Sequence, residues 1–212
     1  YEWFAAPRRL AVSIPNVASK QPDQSVERRG PAVQAAFKDD GSATPAALGF
    51  AKSCGVEIDQ LDQLPSIYEE WNAMINVISR KDMIHFKERH LLHSLGIQKY
   101  SKFEKGSYIL DIGTGGGFPG VPLAIVNPEC QFVLLDSIGK KLKVIEEVKS
   151  KLNLKNIRTI HSRVEEHTGT YNYIVSRAVT NLPKFIQLTK HLIPKESKDF
   201  RGIYYLKGGE FN

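Results

Sequence analysis

Cysteine is scarce in this chain of 212 residues, since only Cys54 and Cys130 are present and they lie far apart. Neither has a companion cysteine or histidine at metal-ligand spacing, so the sequence indicates neither a disulfide framework nor a metal site. Apolar runs such as residues 121–126 are far shorter than the about 20 residues that a membrane helix needs. We also find no charged and then apolar leader. We therefore expect a soluble, unsecreted protein in a reducing cytoplasm, without a membrane partner.

Positive charge is distributed unevenly in an otherwise ordinary globular composition, which is 42% hydrophobic and 25% charged. Residues 1–64 contain 7 Lys and Arg against 8 Asp and Glu, a net charge of −1. Residues 65–212 contain 22 against 15, a net charge of +7, and all six histidines. Because basic residues displace counterions from phosphates, this second part weakly indicates a polyanionic partner.

The period of the apolar residues changes along the chain. The first part contains a strand at residues 9–14, a polar run at residues 15–30, and a helix at residues 45–53 that Cys54-Gly55 would stop. The second part opens with amphipathic helices at residues 66–77 and 85–95. Strands and helices then alternate: strands at 108–111, 132–136, 157–161, 173–176 and 202–206, with helices at 119–126, 140–152 and 182–193. This alternation predicts a largely parallel sheet with its ligand site beyond the carboxyl ends of the strands.

A glycine-rich segment, ILDIGTGGGFPG at residues 109–120, runs from an apolar strand into a helix whose first turn tolerates Pro119 and Pro122. Glycines let the backbone turn sharply and approach a ligand closely. Nucleotide-binding folds share such loops at this place, so the loop alone leaves an NAD-dependent oxidoreductase open.

Two carboxylates favour S-adenosylmethionine over a dinucleotide. Asp111 ends the first strand of the alternating region and Asp136 ends the second, both at the ligand edge. Asp136 can accept hydrogen bonds from the ribose hydroxyls of an adenosine. Asp111 lies against the loop, where it would attract an ammonium group and repel a pyrophosphate. The alternative is that both residues only form turns at strand ends.

Several motifs occur in a family-like order and spacing across about the last 148 residues, and together they are much more specific than any single motif. They are YEEWN (68–72), LDIGTGGGFPG (110–120), LDSIGKK (135–141), SRVEE (162–166), SRA (176–178) and LKGG (206–209). This set resembles the small-subunit rRNA guanine-N7 methyltransferase family, also called glucose-inhibited division protein B. The resemblance implies an α/β fold: a Rossmann-like class I S-adenosylmethionine-dependent methyltransferase sheet, truncated at its carboxyl end, with helices on both faces and a small amino-terminal appendage.

The resemblance also implies site residues. It places Gly113 and Phe118 in the cofactor pocket, Val164 and Glu165 on either side of the adenine, and Arg177 at the cofactor and acceptor side. The loop and the strand-end carboxylates described above add Asp111, Gly115, Gly117 and Asp136 to this cofactor set. The candidates for RNA contacts are Arg163, Arg177, Lys207 and Lys140, and Lys141 can steer RNA in the same way. An internal salt bridge is the alternative role of Arg177, and a solvated helix start is that of the two lysines.

The motifs that are missing narrow the chemistry. Methylation of an exocyclic base amine usually goes with an Asn/Asp-Pro-Pro-aromatic motif, and this chain has Ser176-Arg177-Ala178 in its place. Carbon methylation of pyrimidines in RNA uses a cysteine nucleophile, but Cys130 precedes the second strand and is better placed for packing than for nucleophilic attack. Guanine N7 has an in-plane lone pair and loses no proton, so positioning suffices. We therefore assign no catalytic acid or base. His90 and His93 could face RNA but lack a third ligand for a metal.

Residues 1–64 resemble a different protein. The strings WFAAPRRLAV (3–12), ERRGPA (27–32) and TPAALGFAKSCGV (44–56) resemble the amino-terminal region of the bacterial glycyl-tRNA synthetase β subunit. No nucleotide-binding loop or aminoacylation motif accompanies them, so synthetase activity does not follow. We expect a fusion of two truncated proteins with domains at 1–64 and 65–212, and a sheet edge that is unfinished, open to dimerisation, or covered by the strand at 9–14. The leading function is methyl transfer to guanine N7 of small-subunit (16S) rRNA, free or in the 30S subunit. The alternative is an inactive cofactor-binding or RNA-binding fusion.

Overall fold

The computed structural model describes residues 2–6, 9–13, 30–36, 38, 44–53, 58–100, 102–177, 179–193 and 202–206. Its first elements are the strands β1 (Glu2–Ala6) and β2 (Arg9–Ser13), which pair antiparallel. The sequence predicted β2 but not β1. Among the described strands, this pair forms a sheet of its own, so the expectation that the strand at 9–14 covers the edge of the larger sheet is wrong.

Three helices follow: α1 (Val33–Ala36), α2 (Pro45–Ser53) and α3 (Ile58–Asn72). The predicted helix at 45–53 is confirmed, whereas Cys54-Gly55 lies outside the described residues. The helix expected at 66–77 instead begins at Ile58 and contains Pro65, so it runs continuously past residue 64, and the proposed boundary between 64 and 65 stays a prediction. It ends at Asn72 because that side chain accepts the Val77 and Ile78 N–H groups, both at 2.9 Å, and fixes a turn.

The next segment is irregular in its helix type. It contains α4 (Arg80–Met83), a π-helix at Lys87–Leu92, α5 (His93–Leu95) and α6 (Ile97–Tyr100). Ser79 caps α4 by accepting the Asp82 N–H. A regular helix was expected at 85–95, and the structure corrects this, because the middle of that stretch is wound into the wider π form.

The central sheet has five parallel strands in the order β5-β4-β3-β6-β7. These are β3 (Tyr108–Ile112), β4 (Gln131–Asp136), β5 (Ile157–His161), β6 (Tyr173–Arg177) and β7 (Gly202–Leu206). The crossovers contain α7 (Gly120–Val126), α8 (Gly139–Lys151) and α9 (Leu182–Thr189), the last followed by a 3-10 turn at Lys190–Leu192. The predicted Rossmann-like α/β sheet is thereby confirmed, and the helix expected at 182–193 is shorter than predicted.

The alternation of side chains along β3 separates two cores, one on each face of the sheet. Ile109 belongs to a cluster with Leu64 and Tyr68 of α3. Leu110 belongs to a cluster on the opposite face with Phe185 of α9. Because all five strands are parallel, their carboxyl ends meet at one edge of the sheet, and this edge lies between the two packed layers. No helix in the described ranges is long and apolar enough to cross a membrane.

Candidate functional site

The loop between β3 and α7 turns on glycines. Gly113, Gly115 and Gly117 have φ angles of 65°, 59° and 100°, which residues with a side chain rarely adopt. The N–H groups of Gly113 and Thr114 both donate to the Leu135 carbonyl of β4, at 2.9 and 3.1 Å. The loop thus folds over the end of the neighbouring strand.

Two more glycines allow close packing beneath this loop. A Cβ at Gly120 would lie 2.6 Å from Oδ2 of Asp111 and 2.9 Å from Cγ of Leu134, too close for any side chain. The carbonyl of Gly116 accepts a hydrogen bond from the hydroxyl of Tyr68, a fully buried residue of α3. Burial raises the pKa of the Tyr68 hydroxyl, so it remains a donor. Helix α3 therefore supports the loop from below.

Asp111 lies beneath the loop and is fully buried. Its Oδ2 accepts the Thr114 hydroxyl at 2.6 Å and the Gly120 N–H at 2.8 Å. Its Oδ1 is buried with no hydrogen-bond partner among the described residues. Burial raises the pKa of Asp111 to about 7, against the opposing effect of these hydrogen bonds. The side chain therefore braces the loop, and its predicted contact with a cofactor ammonium stays a prediction.

Asp136 ends β4 and faces the loop from the side. Its Oδ2 accepts the Gly115 N–H and its Oδ1 accepts the Ile138 N–H, both at 2.8 Å. A carboxylate oxygen can accept two hydrogen bonds and each oxygen of Asp136 accepts one from the backbone, so each has a lone pair left for a ribose hydroxyl. Asp136 thus fixes the loop and can also bind a ligand.

A cavity of about 410 Å³ opens above these groups at the carboxyl edge of the sheet, a volume in the range of small-molecule sites. It is lined by Val77, Gly113, Thr114, Gly115, Gly116, Phe118, Asp136, Ser137, Ile138, Lys141, Arg177 and Val179. Five of the predicted cofactor residues therefore meet in one place: Gly113, Gly115, Phe118, Asp136 and Arg177.

Arg177 ends β6 on the far side of the cavity. Its Nη1 donates to the Arg89 carbonyl at 3.2 Å, and its Nη2 lies 3.0 Å from Nδ1 of His90. Its guanidinium carbon lies 5.1 Å from the ring centroid of Phe118, within cation–π range. The alternative role of Arg177, an internal salt bridge, does not occur with any described residue.

The remaining predicted residues lie outside the lining of this cavity. A Cβ at Gly117 would lie 2.6 Å from Cγ2 of Val121 and 3.0 Å from the Tyr68 hydroxyl, so this glycine allows close packing. Val164 and Glu165 belong to a 3-10 turn at Val164–Glu166, where Val164 packs on the second core and Glu165 is exposed. The RNA candidates Arg163 and Lys140 are exposed, the latter in the first turn of α8. Lys207 lies outside the described residues.

Sequence reasoning missed part of the lining. Ser137 and Ile138 follow Asp136 directly, so adjacency to a predicted ligand residue was the available signal. Lys141, considered only for steering RNA, lines the cavity itself. Val77 lies in the cavity lining because the Asn72 side chain fixes the turn that contains it, and no local sequence pattern indicated this position. Thr114 and Gly116 belong to the recognised loop.

Cys130 and the histidines have no arrangement for covalent or metal chemistry. Cys130 is buried at the start of β4, where its thiol donates to the Glu104 carbonyl at 3.3 Å, and burial raises its pKa. It lies near the first residue of the strand, whereas the cavity lies beyond the last. No group of three or more His, Cys, Asp or Glu side chains in the described ranges could hold a metal ion.

A parallel sheet with a glycine loop and strand-end carboxylates around such a cavity is the arrangement of Rossmann-like S-adenosylmethionine-dependent methyltransferases, and dinucleotide-binding enzymes share it. A family match decides between these two classes in favour of the methyltransferases. The sequence model of the family described as rRNA small subunit methyltransferase G matches residues 57–210. The chain belongs to this family, as its motifs indicated.

Curated relatives agree with this assignment. Ribosomal RNA small subunit methyltransferase G of Christiangramia forsetii is 52% identical over 158 residues, covering 74% of this chain and 75% of the relative. The protein of the same name from Flavobacterium psychrophilum is 50% identical over 163 residues, covering 76% and 78%. Among solved structures, a SAM-dependent methyltransferase from Aquifex aeolicus has a TM-score of 0.43 at 20% identity, covering 54% of this chain and 67% of that one.

A second family model, glycyl-tRNA synthetase beta subunit, matches residues 1–108. The expected fusion of two families is thereby confirmed. The two matches overlap at residues 57–108, a stretch that includes α3 and the π-helix.

Proposed function

We propose that this protein transfers a methyl group from S-adenosylmethionine to N7 of a guanine in small-subunit rRNA. The observation that carries the proposal is the cavity at the carboxyl edge of the sheet, in a chain about half identical to methyltransferases named for that RNA. The inactive fusion is the less favoured alternative, because the loop, its supports and the cavity are all formed.

The cavity fits the methyl donor on chemical grounds. Asp136 can bind ribose hydroxyls, the loop backbone comes close enough to bind the amino acid part, and Phe118 with Ile138 offers apolar surface. Arg177 can bind a carboxylate or a phosphate. When bound, the donor supplies an electrophilic methyl group on a sulfonium, whose sulfur keeps the electron pair of the broken S–CH3 bond.

Guanine N7 is the acceptor that this set of residues suits. N7 forms the new N–CH3 bond with its own lone pair and releases no proton, so positive charge passes from sulfur to the base and no general base is required. The ionisable side chains in the lining are Asp136, Lys141 and Arg177. Asp136 already accepts two backbone N–H groups, and Lys141 and Arg177 are cations. These residues can position and attract substrates, which is all that the reaction needs.

The exposed cations around the opening suit an RNA partner. Lys140 lies in the first turn of α8, after β4, and Arg163 follows β5, so both come after strands that end at the edge of the cavity, and Lys141 lines the cavity. We propose that they contact phosphates, because Lys and Arg near a cleft raise the local concentration of a polyanion.

The test is methyl transfer from labelled S-adenosylmethionine to small ribosomal subunits that lack the modification, and to the RNA stripped of protein. Digestion of the product to nucleosides should yield label only in 7-methylguanosine. Label in any other nucleoside would contradict the N7 proposal. Cofactor binding without any transfer to either substrate would favour the inactive fusion instead.

A further inference from the structure

We propose that His90 is a positioning residue for this site: its imidazole holds the guanidinium of Arg177 against Phe118, so that the remaining N–H groups of Arg177 face an anionic oxygen of a substrate. The inference rests on the proposed function. It adds a residue of the π-helix, remote in sequence from every cofactor motif, to the machinery of methyl transfer.

The first observation is the hydrogen bond between Arg177 and His90, in which the guanidinium of Arg177 must be the donor. Arg177 can only donate, so the 3.0 Å contact between its Nη2 and Nδ1 of His90 requires an unprotonated Nδ1. The Arg89 carbonyl accepts from Nη1 at 3.2 Å, and the Phe118 ring lies under the guanidinium. Two acceptors from one π-helix therefore fix the plane of a cation that arises from β6.

The surroundings of His90 keep its ring neutral. The ring stacks on Phe86 at 5.9 Å between centroids and lies 5.2 Å from the Phe118 ring. Burial lowers the pKa of His90 to about 4, and the charge of Arg177 acts in the same direction. Asp82 opposes this effect, whereas Arg89 and His93 add to it. The proton of the neutral ring then resides on Nε2, which is buried without a hydrogen-bond partner among the described residues.

A neutral acceptor has a property that a carboxylate lacks. It fixes the guanidinium by a directional hydrogen bond without cancelling its charge. In the described part of the chain no carboxylate forms an ion pair with Arg177, although Asp111 and Asp82 lie near enough to affect its pKa. Arg177 thus reaches the cavity as an oriented and uncompensated cation, which suits the binding of an anionic oxygen.

The π-helix is a second observation that supports a functional role for the contact between His90 and Arg177. A π-turn is less favourable than the α form and occurs frequently at functional sites. Here it spans Lys87–Leu92, which contains both Arg89 and His90. Both partners of Arg177 therefore lie in the part of the helix that departs from regular geometry.

Two variants separate the hydrogen bond from the packing of the ring. His90→Asn places an amide oxygen where Nδ1 lies, whereas His90→Phe keeps an aromatic ring without an acceptor. For His90→Phe we expect kcat/KM in the methyl transfer assay to fall about 10- to 100-fold, and for His90→Asn to stay within about threefold of the unmodified chain. Thermal melting should show both variants folded.

The anionic oxygen has two sources, and binding measurements distinguish them. If it is the carboxylate of the methyl donor, His90→Phe weakens S-adenosylmethionine binding in calorimetry. If it is an RNA phosphate, cofactor affinity is unchanged and KM for the ribosomal subunit rises. Equal activity of His90→Phe and the unmodified chain would overturn the proposal, and so would a His90→Asn variant as impaired as His90→Phe.

A double-mutant cycle tests whether His90 acts through Arg177. In the Arg177→Gln background, His90→Phe should cause no further loss, whereas two independent losses would contradict the proposal. NMR titration provides a readout that does not need activity: replacing Arg177 by Gln should raise the pKa of the His90 ring. If the unmodified chain transfers no methyl group, the proposed function fails, and this titration still tests the contact.

Discussion

The two sides of the cavity are stabilised by different kinds of contact. On the side of β3 and β4, the backbone N–H groups of Gly115 in the loop, of Gly120 at the start of α7 and of Ile138 after β4 donate to Asp111 and Asp136. On the side of β6, Arg177 is held by side-chain and carbonyl contacts to residues 87 and 88 positions earlier in the chain. We call these the loop side and the arginine side.

The difference separates what the backbone determines from what tertiary packing determines. The carboxylate contacts of the loop side are local, since they join residues within the segment 111–138. The arginine side exists only when the π-helix docks against the end of β6. A change on the loop side should therefore affect folding or cofactor binding, and one on the arginine side should affect substrate binding or methyl transfer with the fold intact.

The largest effect should come from removing the start of α3, the helix that supports the loop side through Tyr68. A chain that begins at Pro65 lacks Leu61 and Leu64, which are 7% and 0% exposed, and truncating a buried leucine to alanine typically costs about 2–5 kcal/mol. A chain that begins at Ile58 keeps them. Urea denaturation should show the Pro65 chain to be the less stable. Equal stability of the two would mean that the first turns of α3 do not support the sheet.

The amino-terminal region gives a further expectation, for the chain that begins at Ile58 and the full chain. If residues before Ile58 are independent of the cavity, the chain from Ile58 should bind S-adenosylmethionine within about threefold of the full chain, a difference below about 1 kcal/mol. Loss of binding in that chain would indicate that the synthetase-like region forms part of the domain.

Crowding beneath the loop gives the next effect. Gly120→Ala would place a methyl group against Oδ2 of Asp111 and Cγ of Leu134, which are both buried, and should lower the free energy of unfolding by about 1–3 kcal/mol. Gly49→Ala is the control, because Gly49 lies in α2 with open space around it. Alanine there should be neutral or stabilising by up to about 1 kcal/mol. Similar losses in both variants would contradict the close approach at Gly120.

Cofactor affinity tests the ligand role of the loop side. Asp136→Ala removes two acceptors of backbone N–H groups and the predicted ribose contacts, and should weaken S-adenosylmethionine binding by about 1–3 kcal/mol, or roughly 5- to 150-fold. Asp136→Asn keeps one acceptor oxygen and should lose less. Calorimetry with NAD as a second ligand completes the test. Unchanged affinity in the alanine variant would refute this placement of the cofactor.

Another expected effect concerns the pH dependence of stability. The pKa of Asp111 is raised from 3.8 to about 7 in the folded protein, so the folded state binds more protons than the unfolded state between these values. Stability should therefore fall as pH rises through this window. Asp111→Asn resembles the protonated form, and its advantage over the unmodified chain should grow between pH 5 and 8, on the order of 1 kcal/mol or more. A constant difference across that range would disprove the shift.

The loop side was predictable from sequence because its determinants are contiguous. Strand, glycine turn and helix follow one another from Tyr108 to Val126, and the carboxylate at Asp136 ends the next strand. Resemblance extended the set to Val164 and Glu165, but the structure does not bring these two to the cavity. The sequence pattern therefore predicted the loop, its glycines and Asp136, but it did not show how deeply Asp111 is buried.

The arginine side was only half predictable. The position of Arg177 at a strand end indicated that it lies at the carboxyl edge of the sheet. No sequence pattern connects Arg177 to His90, because their contact depends on how the π-helix packs. The π form of this helix could not be predicted from the sequence either, since a regular amphipathic helix and a π-helix can bury the same apolar residues. The start of α3 was also predicted wrongly, because the helix begins at Ile58 and contains Pro65, a residue more common at a helix start than inside a helix.

The loop amides have a thermodynamic consequence. The N–H groups of Gly113, Thr114, Gly115 and Gly120 all have acceptors within the protein, so the folded chain alone orders this loop. A ligand that enters the cavity finds a surface that is already assembled and loses little affinity to the entropy of ordering it. The rate of association should then depend on access to the cavity instead of on a slow rearrangement of the loop.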